Sequence, residues 1–331
     1  MPSQNQNKQK TYIIALGGNS LLRSHERGSI EEQYINLEKT SEQLVGLLNS
    51  GNRIVITHGN GPQVGNLLLM AEMAKDTIPP MPLDICGAAT TGYMGYMIQQ
   101  TVANHLRQKG LAHNITTVVT QVIVDKADPA FENPTKPVGS FYNAKDAEKL
   151  KQEKGWAMIE DSARGFRRVV PSPMPVKVQQ ARIISAMLDA GEIVIAVGGG
   201  GIPVYRESNG DLRGVEAVID KDYASARLAS EIGADFLVIL TATEHVYRDF
   251  NKPTQKPLVH VTVEEARLML LEGHFGQGSM QPKIEAAIQF LEDKKLLSEA
   301  HGELSKREVL ITLPEKAAQA IKGITGTHIV K

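Results

Sequence analysis

The sequence predicts an α/β protein with a parallel sheet. Two short apolar runs, at residues 12–16 and 53–57, each lead into a glycine turn and later into a helical pattern. A third run, at residues 192–197, leads into four consecutive glycines. Strands that alternate with helices form parallel βαβ units, because each crossover helix returns the chain to the same end of the sheet. The three glycine turns should therefore meet at the carboxyl edge of one sheet.

Hydrophobic periodicity predicts the elements of the N-terminal half. A helix is expected over residues 31–49, where apolar side chains recur at helical spacing, and Gly51 and Asn52 end it. A buried helix is expected up to about residue 109, with Asp84 as its candidate N-cap. Residues 116–124 are predicted to form the third strand.

The alternation of strands and helices stops between residues 125 and 175. This stretch holds six prolines, a charged patch and a basic run at residues 164–168. Such a long stretch without βα alternation is more typical of an inserted subdomain or lid than of a loop. The pattern then resumes, with helices predicted at residues 176–190, 222–232, 263–271 and 280–293, and strands at residues 236–240, 308–312 and 326–330.

Composition excludes several classes of function. The 331 residues include 36 basic and 37 acidic side chains, so no overall field attracts nucleic acid, and 5% aromatic residues disfavour a base-stacking platform. No apolar run approaches the ~18 residues of a membrane span. The single cysteine, Cys86, excludes an internal disulfide framework and fits a reducing cytosol. We therefore expect a cytoplasmic protein without nucleic acid or membrane partners.

Short sequence motifs limit the kinds of ligand that the glycine turns could bind. The sequence has no Walker A motif, and its first turn is not G-x-G-x-x-G, which disfavours P-loop NTPases and nicotinamide dehydrogenases. It also has no H-E-x-x-H motif or cysteine cluster for zinc. Backbone N–H groups at several glycine turns, without side-chain bulk, suit a compact anion such as a phosphoryl group or a carboxylate.

Lysines near such turns are the candidates for catalysis, because phosphoryl transfer needs positioning and positive charge more than covalent help. Lys221 stands at a helix start between Asp220 and Asp222. Lys283 lies in the first turn of a later helix, and Lys136 lies between two prolines in the inserted segment, where a lid could carry it. Two interpretations of Lys221 stay open: a contact to the transferred phosphate, or a solvated lysine beside a helix-capping aspartate.

Three other features have ordinary structural explanations. The basic run at residues 164–168 is more typical of a solvated face, or of an ion-pair partner for Glu160 and Asp161, than of an anion site. His58 lines a strand end, where a structural role is more common than that of a general base. Cys86 fits the core better than it fits a nucleophile.

Several motifs, taken in order, resemble one family. They are Ala-Leu-Gly-Gly-Asn at residues 15–19, Thr-His-Gly-Asn-Gly-Pro-Gln-Val-Gly-Asn at 57–66, Asn-Pro-Thr-Lys-Pro-Val-Gly at 133–139, Gly-Gly-Gly-Gly-Ile-Pro at 198–203, Val-Ile-Asp-Lys-Asp at 218–222, and Gly-His-Phe, Gly-Ser-Met and Pro-Lys within 273–283. This set resembles the carbamate kinases of the amino acid kinase superfamily over nearly the whole chain. The proline-bracketed lysine loop and the four glycines separate it from acetylglutamate kinase, aspartokinase and uridylate kinase.

The resemblance implies a fold and an activity. The fold would be a three-layer αβα sandwich with a mainly parallel central sheet and a protruding lid subdomain at about residues 125–175. Residues 11–220 would bind carbamate and the phosphoryl group, and residues 221–331 would bind the nucleotide. A homodimer would transfer a phosphoryl group reversibly between ATP and carbamate with Mg²⁺, usually towards ATP in arginine breakdown.

The resemblance also assigns roles to residues by position. The transferred phosphoryl group would contact Lys136, Lys221 and Lys283, and these lysines would be organised by Asp220 and Asp222. The carbamate or carbamoyl phosphate side would be formed by Gly17, Gly18, Asn19, Gly59, Asn60, Gly61, Gly199 and Gly200. The nucleotide would lie against Thr241, Tyr247, Met280 and Lys283.

Two segments depart from the family's pattern. Residues 86–92, Cys-Gly-Ala-Ala-Thr-Thr-Gly, differ from the usual Met-Ser-Gln-Gly ending. This difference either reflects helix or dimer packing or alters the edge of the substrate site. Residues 240–244, Leu-Thr-Ala-Thr-Glu, differ from the common Thr-Asp/Gly-Val-Asp, which bears on nucleotide affinity and base choice.

Two alternative functions stay open. One is another acyl-phosphate kinase of the superfamily. A larger acceptor should need an arginine or an extra pocket near residues 59–63, and the sequence shows neither. The other is a catalytically silent paralogue that binds carbamoyl phosphate or nucleotide, and the retained lysines and aspartates argue against it.

Overall fold

The computed structural model describes residues 9–22, 26–48, 51–160, 165–276, 278–293 and 307–331. The strands in these ranges are β1 (Thr11–Leu16), β2 (Arg53–His58), β3 (Ile115–Thr117), β4 (Gln121–Val124), β5 (Lys136–Tyr142), β6 (Met158–Glu160), β7 (Phe166–Val170), β8 (Pro175–Val178), β9 (Ile193–Ile195), β10 (Ile202–Arg206), β11 (Leu212–Gly214), β12 (Phe236–Leu240), β13 (Val246–Arg248), β14 (Lys256–Leu258), β15 (His260–Thr262), β16 (Glu308–Thr312) and β17 (Thr327–Val330). The α-helices are α1 (Ile30–Leu48), α2 (Gly61–Ala74), α3 (Leu83–Gln108), α4 (Ala144–Lys154), α5 (Ala181–Asp189), α6 (Lys221–Glu231), α7 (Val263–Leu271), α8 (Gln281–Glu292) and α9 (Ala317–Ile321).

A central sheet of eight strands has the order β15-β17-β16-β12-β1-β2-β9-β3. Every neighbouring pair is parallel except β16 with β17. The predicted α/β class with a mainly parallel sheet is therefore confirmed. Both predicted parts of the chain contribute to this one sheet, since β1 pairs directly with β12. The division at residue 220 itself stays a prediction.

The central sheet is covered by helices on both faces. Along β1, Ile13 and Ala15 belong to one core cluster, whereas Ile14 and Leu16 belong to another. The first cluster includes buried side chains from α5, α6, α7 and α8, and the second includes side chains from α1, α3 and α9. A strand that is buried on both faces needs apolar residues at every position, which explains the short apolar runs of the sequence. This arrangement confirms the predicted three-layer αβα sandwich.

The glycine turns lie together at the carboxyl edge of the sheet. β1, β2 and β9 are neighbours and parallel. β1 and β2 end just before Gly17 and Gly59, and β9 ends three residues before Gly198. β12 lies on the other side of β1 and ends just before Thr241. A crevice at this edge is the usual place for ligands in open α/β sheets.

The predicted strand at residues 116–124 is wrong, because the chain turns in the middle of it. β3 belongs to the central sheet, whereas β4 belongs to a four-stranded sheet of order β11-β10-β4-β8. The turn is built by Thr120, whose hydroxyl donates to the Val118 carbonyl and accepts from the Val197 amide. These two bonds stabilise the turn between β3 and β4.

Two further predictions need correction. The helix expected over residues 176–190 is a strand followed by a shorter helix, since β8 pairs with β4 before α5 begins. Alternating apolar positions at Val176 and Val178 suit a strand as well as a helix, and pairing with β4 decides between them. Asp84 lies in the first turn of α3, and the N-cap position is occupied by Pro82.

The inserted segment forms a small subdomain of its own, which we call the lid. Its strands make an antiparallel sheet of order β5-β7-β6, with α4 between β5 and β6. The lid contacts the body through an ion pair between Lys154 and Glu72 on α2. It also contacts α2 at Gly65, because a Cβ atom on Gly65 would lie 2.8 Å from the backbone of Gly139 on β5. Among the described residues, no helix is both long and apolar enough to cross a membrane.

The close approach of Gly65 and Gly139 gives a testable prediction about the lid. We expect Gly65→Ala to destabilise the protein by about 1–3 kcal/mol, because the added methyl group meets backbone on a second element and something must move. Gly46→Ala is the matched control: Gly46 is also inside a helix, and a Cβ there meets nothing within 4 Å. That variant should gain about 0.5–1 kcal/mol. Urea unfolding measures both, and equal stabilities of the two variants would contradict the prediction.

Candidate active site

Asp222 is the centre of the candidate site. Its carboxylate binds Lys221 Nζ through Oδ1 at 2.5 Å and Lys283 Nζ through Oδ2 at 2.9 Å. Asp222 and Lys221 begin α6, whereas Lys283 lies in the first turn of α8. Lys283 also donates to the carbonyl of Ser279 at 3.1 Å. One carboxylate therefore holds two ammonium groups, one from the preceding residue and one from a residue 61 positions further along the chain.

Asp220 holds the third lysine and starts the same helix. Its Oδ1 accepts from the Asp222 amide at 2.9 Å, so Asp220 is the N-cap of α6. Its Oδ2 binds Lys136 Nζ at 2.6 Å. Because Lys136 is the first residue of β5, this ion pair joins the lid to the body. The helix-capping aspartate is confirmed as Asp220, but Lys221 is not solvated, because its side chain is 13% exposed and bound to Asp222. A contact of Lys221 with the transferred phosphate stays a prediction.

The five side chains carry one net positive charge, with three ammonium groups against two carboxylates. Burial alone raises the pKa of Asp222, but Lys221 and Lys283 outweigh it and hold that pKa far below its usual range. Burial lowers the pKa of Lys221, the carboxylate of Asp222 opposes this, and the charge of Lys283 adds to the lowering. The side chain of Asp222 is 3% exposed, so these charges act in a poorly screened environment.

The glycine turns approach this charged cluster. A Cβ on Gly59 would lie 3.3 Å from Cδ of Lys221, so the β2 turn lies against the lysine side chain. Gly17 lies against the Leu240 carbonyl at the end of β12, where a side chain would overlap the backbone. Gly18 and Gly61 are exposed at the crevice. The side chain of Asn19 lies outside the described residues.

The third glycine turn packs on the second. Val197, Gly199, Gly200 and Gly201 have positive φ angles of 53°, 66°, 91° and 82°. Three of them are glycines because residues with a Cβ rarely adopt this conformation. A Cβ on Gly199 would overlap the amide of Asn60, and a Cβ on Gly200 would overlap the Ile219 carbonyl just before Asp220. Gly199 and Gly200 therefore fix the distance between this turn, Asn60 and the start of α6.

A cavity of about 260 Å³ lies beside the lysines, at the end of β12. The four residues predicted for the nucleotide, Thr241, Tyr247, Met280 and Lys283, all line it. Ala242 and Thr243, which lie in the segment that departs from the family pattern, also line it. The sequence did not predict the rest of the lining, which consists of Phe250, His274, Phe275, Gly276 and Ser279. Lys283 belongs to this cavity and also to the lysine cluster, so it joins the two parts of the site.

The structure also brings in side chains that no motif indicated. Thr90 and Thr91 on α3 contact the second and third glycine turns, through Asn60 Nδ2 at 2.7 Å and through the Gly198 carbonyl at 3.1 Å. Their only signal in the sequence was that they lie in a segment that departs from the family pattern. Of the basic run, Arg168 forms an ion pair at 3.9 Å, but its partner is Glu216 and not the predicted Glu160. Asp161 and Arg164 lie outside the described residues.

His58 is a neutral, buried part of the β2 turn. It is 0% exposed, and its Nδ1 lies 2.9 Å from the Gly59 carbonyl. Because a carbonyl oxygen only accepts, Nδ1 carries the proton. Burial lowers the pKa of His58 to about 4; the bond to Gly59 opposes this and the charge of Lys221 adds to it. Among the described residues Nε2 has no hydrogen-bond partner. His58 therefore supports the turn as a neutral imidazole.

Dedicated metal ligands are not found in the described part of the chain, where no three His, Cys, Asp or Glu side chains form a group that could hold an ion. Both oxygens of Asp220 and both oxygens of Asp222 are occupied by lysines or by a backbone amide. These carboxylates do not fit a resident magnesium ion. Any Mg²⁺ would have to arrive with the nucleotide phosphates, as part of the substrate.

In this α/β fold, lysines lie together at the carboxyl edge of the sheet, an arrangement that is typical of phosphotransferases. Comparison with known proteins gives the family. The model of the amino acid kinase family matches residues 10–297. A carbamate kinase of Thermococcus kodakarensis is 48% identical, covering 97% of this chain and 99% of its own length. A carbamate kinase of Clostridium perfringens is 44% identical, over 96% of this chain and 99% of its own.

Solved structures agree with the sequence comparison. The carbamate kinase of Giardia lamblia bound to AMP-PNP superposes with a TM-score of 0.88 at 38% identity, over 98% of this chain and 99% of that one. This chain belongs to the amino acid kinase family and, within it, to the carbamate kinases. The predicted family, fold class and enzyme class are confirmed. The roles of individual site residues stay predictions.

The buried imidazole of His58 predicts a pH dependence of stability. Its pKa is about 4 in the folded protein and near 6.5 in the unfolded chain. Between these values the unfolded state binds the proton more strongly, so stability falls as pH decreases from about 6.5 to 4. We expect His58 to contribute up to about 3 kcal/mol to this loss.

Urea unfolding of the wild type and of His58→Gln, at pH 7.5 and pH 5, isolates this contribution. The variant should lose less stability on acidification than the wild type does. In addition, the ring resonances of His58 in the wild type should not titrate between pH 8 and pH 5. Equal acid slopes, or a ring that titrates near pH 6.5, would contradict the buried neutral state.

Proposed function

We propose that this protein transfers a phosphoryl group reversibly between ATP and carbamate, forming ADP and carbamoyl phosphate. The observation that carries the proposal is the bridge from Asp222 to Lys221 and Lys283, which lies between the glycine turns and the cavity beside β12. The names of the relatives support the choice of carbamate as acceptor.

Charge is what the chain's own residues supply to the reaction. In the direction of ATP formation, a terminal phosphate oxygen of ADP attacks phosphorus, a new P–O bond forms, and the P–O bond to carbamate breaks. Negative charge spreads over the three equatorial oxygens of the phosphoryl group in transit. Lys221 and Lys283 are fixed by a buried carboxylate before the reaction starts, so they need no reorganisation to stabilise this charge.

Lys136 adds a charge that depends on the position of the lid. It is 33% exposed, whereas the side chains of Lys221 and Lys283 are 13% and 14% exposed. Its contact with Asp220 supports a role in which the lid brings a cation to the mouth of the crevice and would cover the reacting group. Excluding water there would protect the phosphoryl group from hydrolysis.

The nucleotide is proposed to bind in the 260 Å³ cavity, with its phosphates towards Lys283. Met280, Phe275 and Tyr247 give this cavity an apolar and aromatic lining that suits a planar base. The relative bound to AMP-PNP supports nucleotide use by this family. Mg²⁺ would enter as part of the nucleotide substrate and would neutralise phosphate charge.

Four further features of the proposal rest on the family resemblance. They are net flow towards ATP, a place in arginine breakdown, a cytoplasmic location and a homodimer. The homodimer has one supporting observation: α2 and α3 expose large apolar side chains at Met70, Met73 and Tyr96, which are 62%, 78% and 58% exposed. Exposed apolar side chains on neighbouring helices are typical of surfaces that bind another chain.

The direct test is ATP formation from Mg²⁺, ADP and carbamoyl phosphate by the wild type and Lys221→Ala. We expect turnover by the wild type and a loss of about 10²–10³-fold in the variant, because one positive charge on the transition state is removed. The matched control is Lys149→Ala on α4, an exposed lysine 3.9 Å from Glu153. It should keep full activity.

Each other outcome has a defined meaning. A folded wild type that binds carbamoyl phosphate without making ATP would overturn the proposal in favour of a silent binding protein. Faster turnover with acetyl phosphate than with carbamoyl phosphate would indicate a different acyl-phosphate kinase. Near-normal turnover by Lys221→Ala would remove Lys221 from the catalytic residues.

A further inference from the structure

Two neighbouring threonines on α3 contact two different glycine turns of the site. Thr90 is 0% exposed and Thr91 is 2% exposed. The hydroxyl oxygen of Thr90 accepts from Asn60 Nδ2 at 2.7 Å. The hydroxyl of Thr91 lies 3.1 Å from the Gly198 carbonyl and 3.1 Å from the Gly87 carbonyl of its own helix, and these two acceptors share its one proton. One turn of one helix therefore holds the turn after β2 and the turn after β9. We call these two hydroxyl contacts the threonine latch.

The hydrogen bonds of Thr90 fix the orientation of the Asn60 amide. The Thr90 hydroxyl donates its one proton to the Gly87 carbonyl at 2.7 Å. Its oxygen can then only accept, so the NH₂ group of Asn60 must face Thr90 and its carbonyl oxygen must point away from it. An amide that could otherwise turn over is held with one face towards α3.

The same residues leave no free space between the two turns. A Cβ on Gly199 would overlap the Asn60 amide, and a Cβ on Gly198 would lie 2.5 Å from Nε2 of His58 and 3.1 Å from Cγ2 of Thr91. Asn60 is itself only 6% exposed. The latch thus packs one turn against the other, so a change in the orientation of the Asn60 side chain would displace Gly199.

We propose that Thr90 and Thr91 are positioning residues for the acceptor end of the site. This inference rests on the proposed function, in which the turns at Gly59 and Gly199 hold carbamate or carbamoyl phosphate. The nucleotide cavity begins at Thr241 after β12, two strands away from β2, so the latch should act on the acceptor and spare the nucleotide.

The test is Thr90→Val, which keeps the shape of the side chain and removes the acceptor of Asn60. We expect the KM for carbamoyl phosphate to rise about ten-fold, because a buried amide loses its partner and its single orientation. The KM for ADP should change less than about two-fold. Thr90→Ser restores a hydroxyl and should behave as the wild type does.

Thr101→Val is the matched control on the same helix. Thr101 is 1% exposed, its hydroxyl donates to the Met97 carbonyl at 3.0 Å, and it accepts from the side chain of Ser41 at 3.0 Å. It therefore copies the bonding pattern of Thr90 at a distance from the glycine turns. Loss of stability without a change in the KM for carbamoyl phosphate is expected for this variant.

A double variant separates positioning from packing. If Thr90 acts through the Asn60 amide, Thr90→Val should have little further effect in an Asn60→Ala background. Equal effects of Thr90→Val in both backgrounds, or an equal rise of both KM values, would overturn the inference. So would an unchanged KM for carbamoyl phosphate.

Calorimetric titration with carbamoyl phosphate keeps this test independent of turnover. If the wild type binds the compound without making ATP, the proposed reaction fails, and the ratio of dissociation constants between Thr90→Val and wild type still tests the latch. A ratio near ten would support the latch, and a ratio near one would overturn it. A wild type that neither binds nor turns over carbamoyl phosphate would overturn both proposals.

Discussion

The arrangement of the site depends on one buried carboxylate that binds two lysines from different helices. Without Asp222, the ammonium groups of Lys221 and Lys283 would lie close together in a poorly hydrated crevice and repel each other. With it, both charges are held in place, and burial keeps them from being screened by water. The cost of burying Asp222 is offset by its two partners, which hold its pKa far below the usual range.

The sheet explains why these groups meet. β1, β2 and β9 are neighbouring parallel strands, so their glycine turns lie at one edge, and β12 next to β1 brings the cavity to the same edge. α6 starts there with Asp220 as its cap, and the N-terminal end of a helix carries a partial positive charge that adds to the lysines. The lid reaches this edge through the ion pair of Lys136 with Asp220. The topology of the sheet thus brings the glycine turns and the cavity together, and the ion pairs of Asp220 and Asp222 hold the lysine charges beside them.

Much of this could be predicted from the sequence, because the signals are local. Apolar runs that end in glycine turns identify buried parallel strands, and an Asp-Lys-Asp segment at a helix start places a lysine beside a cap. Thr241, Tyr247 and Met280, which the family resemblance assigns to the nucleotide, line one cavity together with Lys283, and their contact with a nucleotide stays a prediction.

Other features depend on contacts that no local pattern encodes. The bond from Lys283 to Asp222 spans 61 residues, and the bond from Thr90 to Asn60 joins a helix to a distant turn. The strand β8 was predicted as part of a helix, because only its pairing with β4 shows that it is a strand. β4 itself was predicted as the end of one longer strand. The turn at Thr120 that separates β3 from β4 depends on a bond to Val197, 77 residues away.

The central claim is that the charge of Asp222 holds Lys221 and Lys283 in place for phosphoryl transfer. The most direct measurement is the kcat for ATP formation by Asp222→Asn, with circular dichroism and thermal unfolding to show that the variant is folded. Asparagine keeps the shape of the side chain but cannot bind two ammonium groups by charge. The account predicts a folded protein whose kcat falls by at least about 10²-fold. A folded Asp222→Asn variant with a kcat close to that of the wild type would contradict it.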